Sequence, residues 1–486
     1  MNIPNLCQNI IRISFYLLFL LVPLILTPWN YELFEYNKMM LTYALTVVIA
    51  GAWIIKMVND REIRIVKTPL DIPIGLFVSS LLVSSLFSID PHVSWLGYYS
   101  RFNGGMFSIF TYVILYYAFV SNITHVAKLL KITLISAAIV ALYGIAERLG
   151  IDKNLWVQDV QNRVFSTLGQ PNWLGAYLVA LLPLSMAFAL QFSKKRALFI
   201  VYWLLVIGYF LVLLFTRSRS GLVGFAVADI IFWVLFYKKN LKPFLLIHLA
   251  FALIIFFNGS NIGQIDKYFS LPGLLASQGV PLQKSTVPAG PVLEVGGTES
   301  GTIRKYVWQG AIAAWRSSTK AYLIGTGTET FAFAFYRYRP AGHNLTSEWD
   351  FLYNKAHNEY LNYLATTGLF GLASYLLLLG TFIVWYMKRL RVKGVDAPTH
   401  ALFAGWISIL VTNFFGFSIV IMQLFLFLFP AIILSSENKS SYVIPLRINN
   451  QLITLYSWLT VLILLVLLGL ISMSWYADKL YAASYR

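Results

Sequence analysis

The sequence predicts an all-α fold: a polytopic membrane bundle of about 12–13 transmembrane helices, with one long extracytoplasmic loop that holds short amphipathic helices. Three observations predict it. Hydrophobic residues make up 58% of the 486 residues and charged residues only 12%, whereas a soluble domain is about a quarter charged. Mean hydropathy is +0.69. Apolar runs of the roughly 20 residues needed to cross a bilayer recur along the whole chain.

Hydropathy places spans at 10–27, 39–58, 70–88, 105–121, 129–147, 173–192, 197–216, 219–237, 242–258, 358–386, 401–417, 419–435 and 452–475. The first apolar run, Ile13 to Leu26, has one Arg before it and no small-residue cleavage site after it. It reads as a retained span, not a signal peptide. The chain thus divides into an N-terminal bundle (1–258), a polar loop (259–357), a C-terminal set of helices (358–476) and a short tail (477–486). The net charge of +17 would suggest nucleic acid in a soluble chain. Here the basic residues gather in short connections: Lys56, Arg61, Arg64 and Lys67; Lys194, Lys195 and Arg196; Lys238, Lys239 and Lys242; Lys388, Arg389, Arg391 and Lys393. All four fall on one side if the N-terminus is cytoplasmic, which is the orientation signal of membrane insertion. The predicted partner of this charge is the lipid bilayer, and nucleic acid is excluded. The loop 259–357 and the connections near Trp29, Trp95, Trp156 and Trp173 then lie outside. The only cysteine is Cys7, so neither a disulfide nor a thiolate metal site is expected.

Within the loop, residues 270–302 are rich in Gly, Pro, Ser and Leu, the composition of a flexible linker. Ile303, Val307, Trp308, Ala311, Ile312 and Trp315 then recur at helical spacing, flanked by Arg304, Lys305, Arg316 and Lys320. A basic amphipathic helix of this kind is expected to lie on the membrane surface. Gly325-Thr326-Gly327 lacks the third glycine and the preceding strand of a nucleotide-binding loop, so a turn is expected.

The loop closes at His357-Asn358, where the tenth span opens. An imidazole at the water–lipid boundary suits proton transfer better than packing. Arg217 and Arg219 sit at the outer end of a span, against the positive-inside pattern, which favours a site role over lipid anchoring for at least one of them. Asn358 suits a helix start, and Gly368 and Gly371 suit close helix packing. His343-Asn344 repeats the pair without the glycines and reads as loop or an acceptor-side contact. His248, in mid-span, reads as hydrogen-bonded structure. The outer acidic residues, Glu32, Glu35, Asp90, Asp152, Asp159, Glu348 and Asp350, are scattered. No metal and no soluble cofactor are expected.

His357-Asn358, nine residues, Gly368, two residues and Gly371 resemble the hallmark of the O-antigen ligase and polymerase superfamily. Three further segments look familial: Arg163 to Asn172, Ser218-Arg219-Ser220-Gly221, and Arg304 with Trp308 ahead of the Gly325/Gly327 turn and Phe331. The resemblance implies a glycosyltransferase of the bacterial inner membrane. It would move a glycan from an undecaprenyl-pyrophosphate carrier to a glycan, lipid or protein acceptor at the extracytoplasmic face. It implies His357 as the base that activates the acceptor, with Arg219 and Arg304 on the pyrophosphate; Arg217 and Arg163 are second-rank cations. Such a transfer needs one base and one or two cations, because pyrophosphate leaves readily once its charge is neutralised. Ligase, repeat-unit polymerase and protein O-oligosaccharyltransferase stay open. So does a transporter of glycolipid or anions, although a transporter would place its ionisable residues near mid-membrane.

Overall fold

The computed structural model describes residues 3–260, 262–277, 300–437 and 440–485. The N-terminal helices are α1 (Ile3–Leu21), α2 (Glu35–Asn59), α3 (Asp71–Leu86), the short α4 (Pro91–Leu96), α5 (Met106–Asn122), α6 (Ala127–Arg148), α7 (Pro171–Gln191), α8 (Arg196–Phe215), α9 (Arg219–Phe236) and α10 (Leu241–Asn258). The polar loop holds α11 (Gly263–Phe269), α12 (Leu271–Ser277), α13 (Ser300–Trp315), α14 (Thr319–Ile324) and α15 (Phe331–Tyr338). After it come α16 (Glu359–Lys393), α17 (Ala397–Phe414), α18 (Val420–Ser435) and α19 (Asn450–Tyr485).

Each of the thirteen predicted spans falls on a helix, and the fold is all-α in the polytopic membrane class. Among the described residues nine helices are long and apolar enough to cross a membrane, while α3, α5 and α18 are shorter apolar helices. The paired spans 401–417 and 419–435 are two helices, α17 and α18, joined by a turn at 415–419. The first span ends at Leu21 rather than 27, because Pro23 lacks an amide proton and biases the residue before it away from helix. α18 is buried along its whole length and α7 along nearly all of it, as helices that are apolar on every face require. α8, α9 and α17 pack on α7, and α5 and α17 pack on α18.

Three features were not anticipated. A two-stranded antiparallel ribbon, β1 (Glu62–Val66) with β2 (Ser441–Pro445), ties the α2–α3 connection to the α18–α19 connection in the register Glu62↔Pro445. Residues 477–485, expected as a tail, continue α19, and the Asp478 carboxylate is buried. It accepts hydrogen bonds from Asn30 Nδ2 at 2.8 Å, the Tyr31 amide at 3.0 Å and the Tyr99 hydroxyl at 2.9 Å. The apolar face of α13 is covered by protein rather than by membrane: Ile303, Val307 and Ala311 form a second core with Phe331, Phe335, Tyr353, Ala356 and Ala365. Amphipathic periodicity fixes which face is apolar but not what covers it. Of the expected linker, residues 278–299 lie outside the described residues.

One break positions the site. Gly368 interrupts α16 with φ 66° and ψ −165°. The Ala365 and Thr366 carbonyls freed near the break accept the amides of Thr326 at 3.3 Å and Gly327 at 2.9 Å, so the Gly325–Gly327 segment is a turn docked on α16. A Cβ at Gly368 would stand 2.4 Å from the carbonyl carbon of Leu323 in α14. Gly371 leaves room for the Thr367 hydroxyl, which a Cβ would meet at 1.9 Å. Gly368→Ala therefore combines left-handed strain of about 1–2 kcal/mol with a backbone collision. It is expected to lower the thermal unfolding midpoint of the purified protein by several degrees, whereas Gly380→Ala, in open space on the same helix, should hold or raise it. Equal midpoints for the two variants would remove the docking role.

Candidate active site

His357 precedes the cap of α16. Asn358 is the N-cap, its side chain accepting the Leu361 amide at 3.0 Å, and the Ala356 amide donates to Asn362 Oδ1 at 3.2 Å. Between these two anchors His357 takes a left-handed backbone, φ 51°. Such positions cost roughly 1–3 kcal/mol in a residue other than glycine and persist only where their surroundings impose them. The imidazole is held edge-on between Tyr353 and Phe417, with ring centroids at 5.6 and 5.4 Å.

The turn between α8 and α9 carries the next cations. Ser218 caps α9 by accepting the Gly221 amide at 3.1 Å. Arg217, directly before it, is also left-handed at φ 52°, and Arg219 is the first residue of α9. The segment 163–172 is tied to this turn: Arg163 Nε donates to the Thr216 carbonyl at 3.3 Å, and the Val164 amide donates to the Phe215 carbonyl at 3.3 Å. Buried Glu147 fixes the same segment by accepting the Phe165 and Ser166 amides at 3.0 and 2.7 Å. The motif at the start of α9 and the one at 163–172 therefore fold as one wall.

That wall and α13 enclose a cavity of about 640 Å³ lined by Arg163, Arg217, Arg219 and Arg304, with no carboxylate among the described residues of its lining. A narrower pocket of about 30 Å³ adjoins it and holds His357, Trp173 and Phe417. Arg304, Ser220 and Asn172 line both. All four predicted arginines thus face one space, and Arg304 stands where that space meets the imidazole.

The electrostatics follow from burial among like charges. Burial lowers the Arg304 pKa, with Glu348 the opposing influence. Burial, then Arg148 and Arg163, lowers that of Arg217. The His357 imidazole is pushed down to about 3, first by burial, then by Arg304 and Arg101. At neutral pH it is uncharged and able to accept a proton.

Sequence reasoning missed Arg101. It lies in the α4–α5 connection, its guanidinium over the Trp173 and Phe417 rings at 5.0 Å each, and its buried Nη1 has no hydrogen-bond partner among the described residues. An arginine beside glycines on the face where basic residues are scarce was the available signal, the same one that marked Arg217 and Arg219. Also missed were the glutamates that hold the aromatic wall. Glu359 accepts the Ser418 amide at 3.3 Å and Glu35 the Val420 amide at 2.9 Å, which pins the turn carrying Phe417. Buried Lys355 pairs with Glu329 two residues ahead of His357. His343 is buried in the second core, its ring against Phe335 and Tyr353. His248 is bonded to Asp229 at 2.9 Å and to the Phe244 carbonyl at 2.7 Å. Among the described residues no three His, Cys, Asp or Glu side chains gather as a metal-ligand set.

The fold and this site define a polytopic membrane protein with a guanidinium-lined cavity that opens onto a neutral imidazole. Residues 203–376 match the family model described as O-antigen ligase. Over that range the chain is similar to the O-antigen ligase family, whose hallmark its motif resembles. The matched range includes Arg217, Arg219, Arg304 and His357 and leaves out Arg101 and Arg163. No curated protein matches the chain.

The lowered imidazole pKa can be tested without substrate. Diethyl pyrocarbonate modifies neutral imidazole, the form present above the pKa. The modification rate at His357, followed by mass spectrometry, is expected to stay level from about pH 7.5 to about pH 5, where an ordinary histidine of pKa about 6.5 would already fall off. In Arg304→Gln the fall-off should move to higher pH, because one repelling cation is gone. An inflection near 6.5 in the unsubstituted protein would show that the cations do not act on the imidazole.

Proposed function

We propose that the chain transfers a glycan from an undecaprenyl-pyrophosphate carrier to an acceptor hydroxyl, at the extracytoplasmic face of the bacterial inner membrane. One observation carries this reading: four guanidinium groups share a cavity with no carboxylate among the described residues of its lining, and the cavity meets a neutral imidazole at Arg304. Guanidinium groups gathered around one space favour a multiply charged anion, and arginine grips phosphate oxygens in pairs. Arg219 and Arg304 bind the pyrophosphate, and Arg217 and Arg163 add to the field around it.

His357 takes the proton of the acceptor hydroxyl. The acceptor oxygen bonds to the anomeric carbon as the bond from that carbon to the pyrophosphate oxygen breaks, so the anomeric centre inverts. The electron pair leaves on the pyrophosphate, where the arginines neutralise it. The donor's negative charge also offsets the cations that depress the imidazole, so the base strengthens when donor is bound. The basic connections at the opposite end of the bundle support an extracytoplasmic site.

Purified protein in detergent, supplied with a synthetic polyprenyl-pyrophosphate glycan and an acceptor, should turn over without any membrane to cross. His357→Ala is expected to reduce transfer by about 10²–10⁴-fold. Arg219→Lys should reduce it by about 10–10²-fold through loss of the paired contact, while Arg12→Lys, on α1 and bonded to Asn9, should have no effect. Full transfer by His357→Ala would refute the base, and equal, negligible effects of the two lysine variants would refute the clamp.

A further inference from the structure

The connection between α4 and α5 closes on itself. A Cβ at Gly105 would collide with the Gly97 amide nitrogen, so the two ends of segment 97–105 cross in contact. Between them Gly97, Ser100, Phe102 and Gly104 take positive φ. The Arg101 and Phe102 amides both donate to the Tyr98 carbonyl, at 3.2 and 3.0 Å. Left-handed residues other than glycine persist only where their surroundings impose them. A loop turned this tightly holds its tip as a fixed point, and Arg101 lies at that tip.

The tip reaches the aromatic wall of the imidazole pocket. The Arg101 guanidinium sits over the Trp173 and Phe417 rings, 5.0 Å from each. Those rings also meet each other, at 6.1 Å with 69° between their planes. The three side chains thus form one closed contact drawn from the α4–α5 connection, α7 and the α17–α18 turn. Both rings line the pocket that holds His357, and Phe417 stands edge-on to the imidazole. Neighbouring residues of the loop grip the same surroundings. Asn103 Nδ2 donates to the Ser418 carbonyl at 3.0 Å, and the Tyr112 hydroxyl fixes Asn103 Oδ1 at 2.7 Å. A Cβ at Gly104 would collide with the carboxylate of Glu329, the partner of Lys355. The loop therefore bears on His357 from two directions: through Phe417, and through the chain that leads into it.

Arg101 itself is absent from the described lining of both the imidazole pocket and the arginine cavity. It reaches the imidazole through the rings. Its buried Nη1 has no hydrogen-bond partner among the described residues, so hydrogen bonding does not explain its burial. Flatness does: a guanidinium is planar and weakly hydrated, and it packs on ring faces where an ammonium would hold its water. Glu35 is the foremost carboxylate supporting its charge. That same side chain accepts the Val420 amide at 2.9 Å and so fixes the turn that carries Phe417.

We propose that Arg101 is a positioning residue: seated on Trp173 and Phe417, its guanidinium fixes the ring wall that aims the His357 imidazole, and it touches neither substrate. Its effect on rate rests on the proposed transfer reaction; its hold on the imidazole does not.

The test combines kinetics, chemical rescue and labelling on the purified full chain. Arg101→Ala should lower kcat for transfer by about 10–10²-fold, the cost of a misplaced base, with the donor KM within about twofold of the unsubstituted protein. Ethylguanidinium in the buffer refills the slot above the two rings and should raise the rate of this variant severalfold, whereas ethylammonium at equal concentration should not. Arg101→Lys keeps the charge and loses the flat group, so its kcat should also fall, by about tenfold or more. Modification of His357 by diethyl pyrocarbonate at neutral pH, read by mass spectrometry, should quicken severalfold in Arg101→Ala as the wall loosens and slow again with ethylguanidinium. Should Arg101→Ala not fold, Arg101→Lys carries the same kcat, KM and modification readouts. Unchanged kcat in a folded variant, a raised donor KM at unchanged kcat (direct donor binding), equal rescue by ethylammonium (charge alone), or an unchanged modification rate would each overturn the assignment. If the unsubstituted protein turns over no donor, the transfer reaction falls, while the modification rates still decide whether Arg101 holds the imidazole.

Discussion

The site depends on a single residue at which α16 stops being helical. At Gly368 the chain leaves the helix, and the loop turn at 325–327 supplies the donors that the Ala365 and Thr366 carbonyls need. Thr366 also accepts the Ser84 hydroxyl at 2.9 Å, and the Ile89 amide donates to the Thr326 carbonyl at 2.8 Å. Carbonyls left unbonded inside a membrane bundle cost several kcal/mol each. The break is therefore stable only while the loop is docked. The loop, in turn, brings α13 with Arg304 to the helix that begins just after His357. Spatial coupling between His357 and Arg304 is thus a backbone matter, enforced by glycines that permit an approach no side chain would allow.

Charge is sorted around that frame. The carboxylates near the imidazole are committed elsewhere: Glu35 and Glu359 accept backbone amides of the 418–420 turn, and Glu329 pairs with Lys355. The described lining of the cavity, by contrast, holds four arginines and no carboxylate. A site built to hold neutral sugars would have no use for this imbalance, since gathering like charges costs free energy unless an anion arrives. Burial, and after it Arg304 and Arg101, keeps the imidazole unprotonated at neutral pH.

Much of this was legible in the sequence, for identifiable reasons. Spanning helices are local, apolar and long, so each of the thirteen predicted spans has its helix. Arg217 and Arg219 were legible because they violate a rule that the other charges obey. The His-Asn…Gly spacing was legible as a pattern, while the physical need for Gly368 was not, since its neighbour across the break is Leu323, 45 residues away. Arg101 carried the same charge signal, but its surroundings were not legible: Trp173, at the start of α7, and Phe417, in the α17–α18 turn, close over it only in the fold. The covering of α13, the ribbon of β1 with β2 and the burial of Asp478 likewise depend on contacts between remote segments, which periodicity does not encode.

The distribution of backbone strain adds a last argument. Seven non-glycine residues among those described have positive φ; Arg61 lies at the basic end, and Ser100, Phe102, Ser166, Arg217, Glu329 and His357 lie at the loop end. Each would cost roughly 1–3 kcal/mol if its surroundings did not impose it. The restraints are visible: Glu147 holds Ser166, Lys355 holds Glu329, and the caps Ser218 and Asn358 directly follow Arg217 and His357. A left-handed residue directly before a cap reverses the chain sharply, which lets a long side chain point into the cavity while the next residue begins a helix. The strain at Arg217 and His357 thus helps to aim these two side chains. It is borne in the folded protein, so a substrate finds these groups already in place and need not order them on binding.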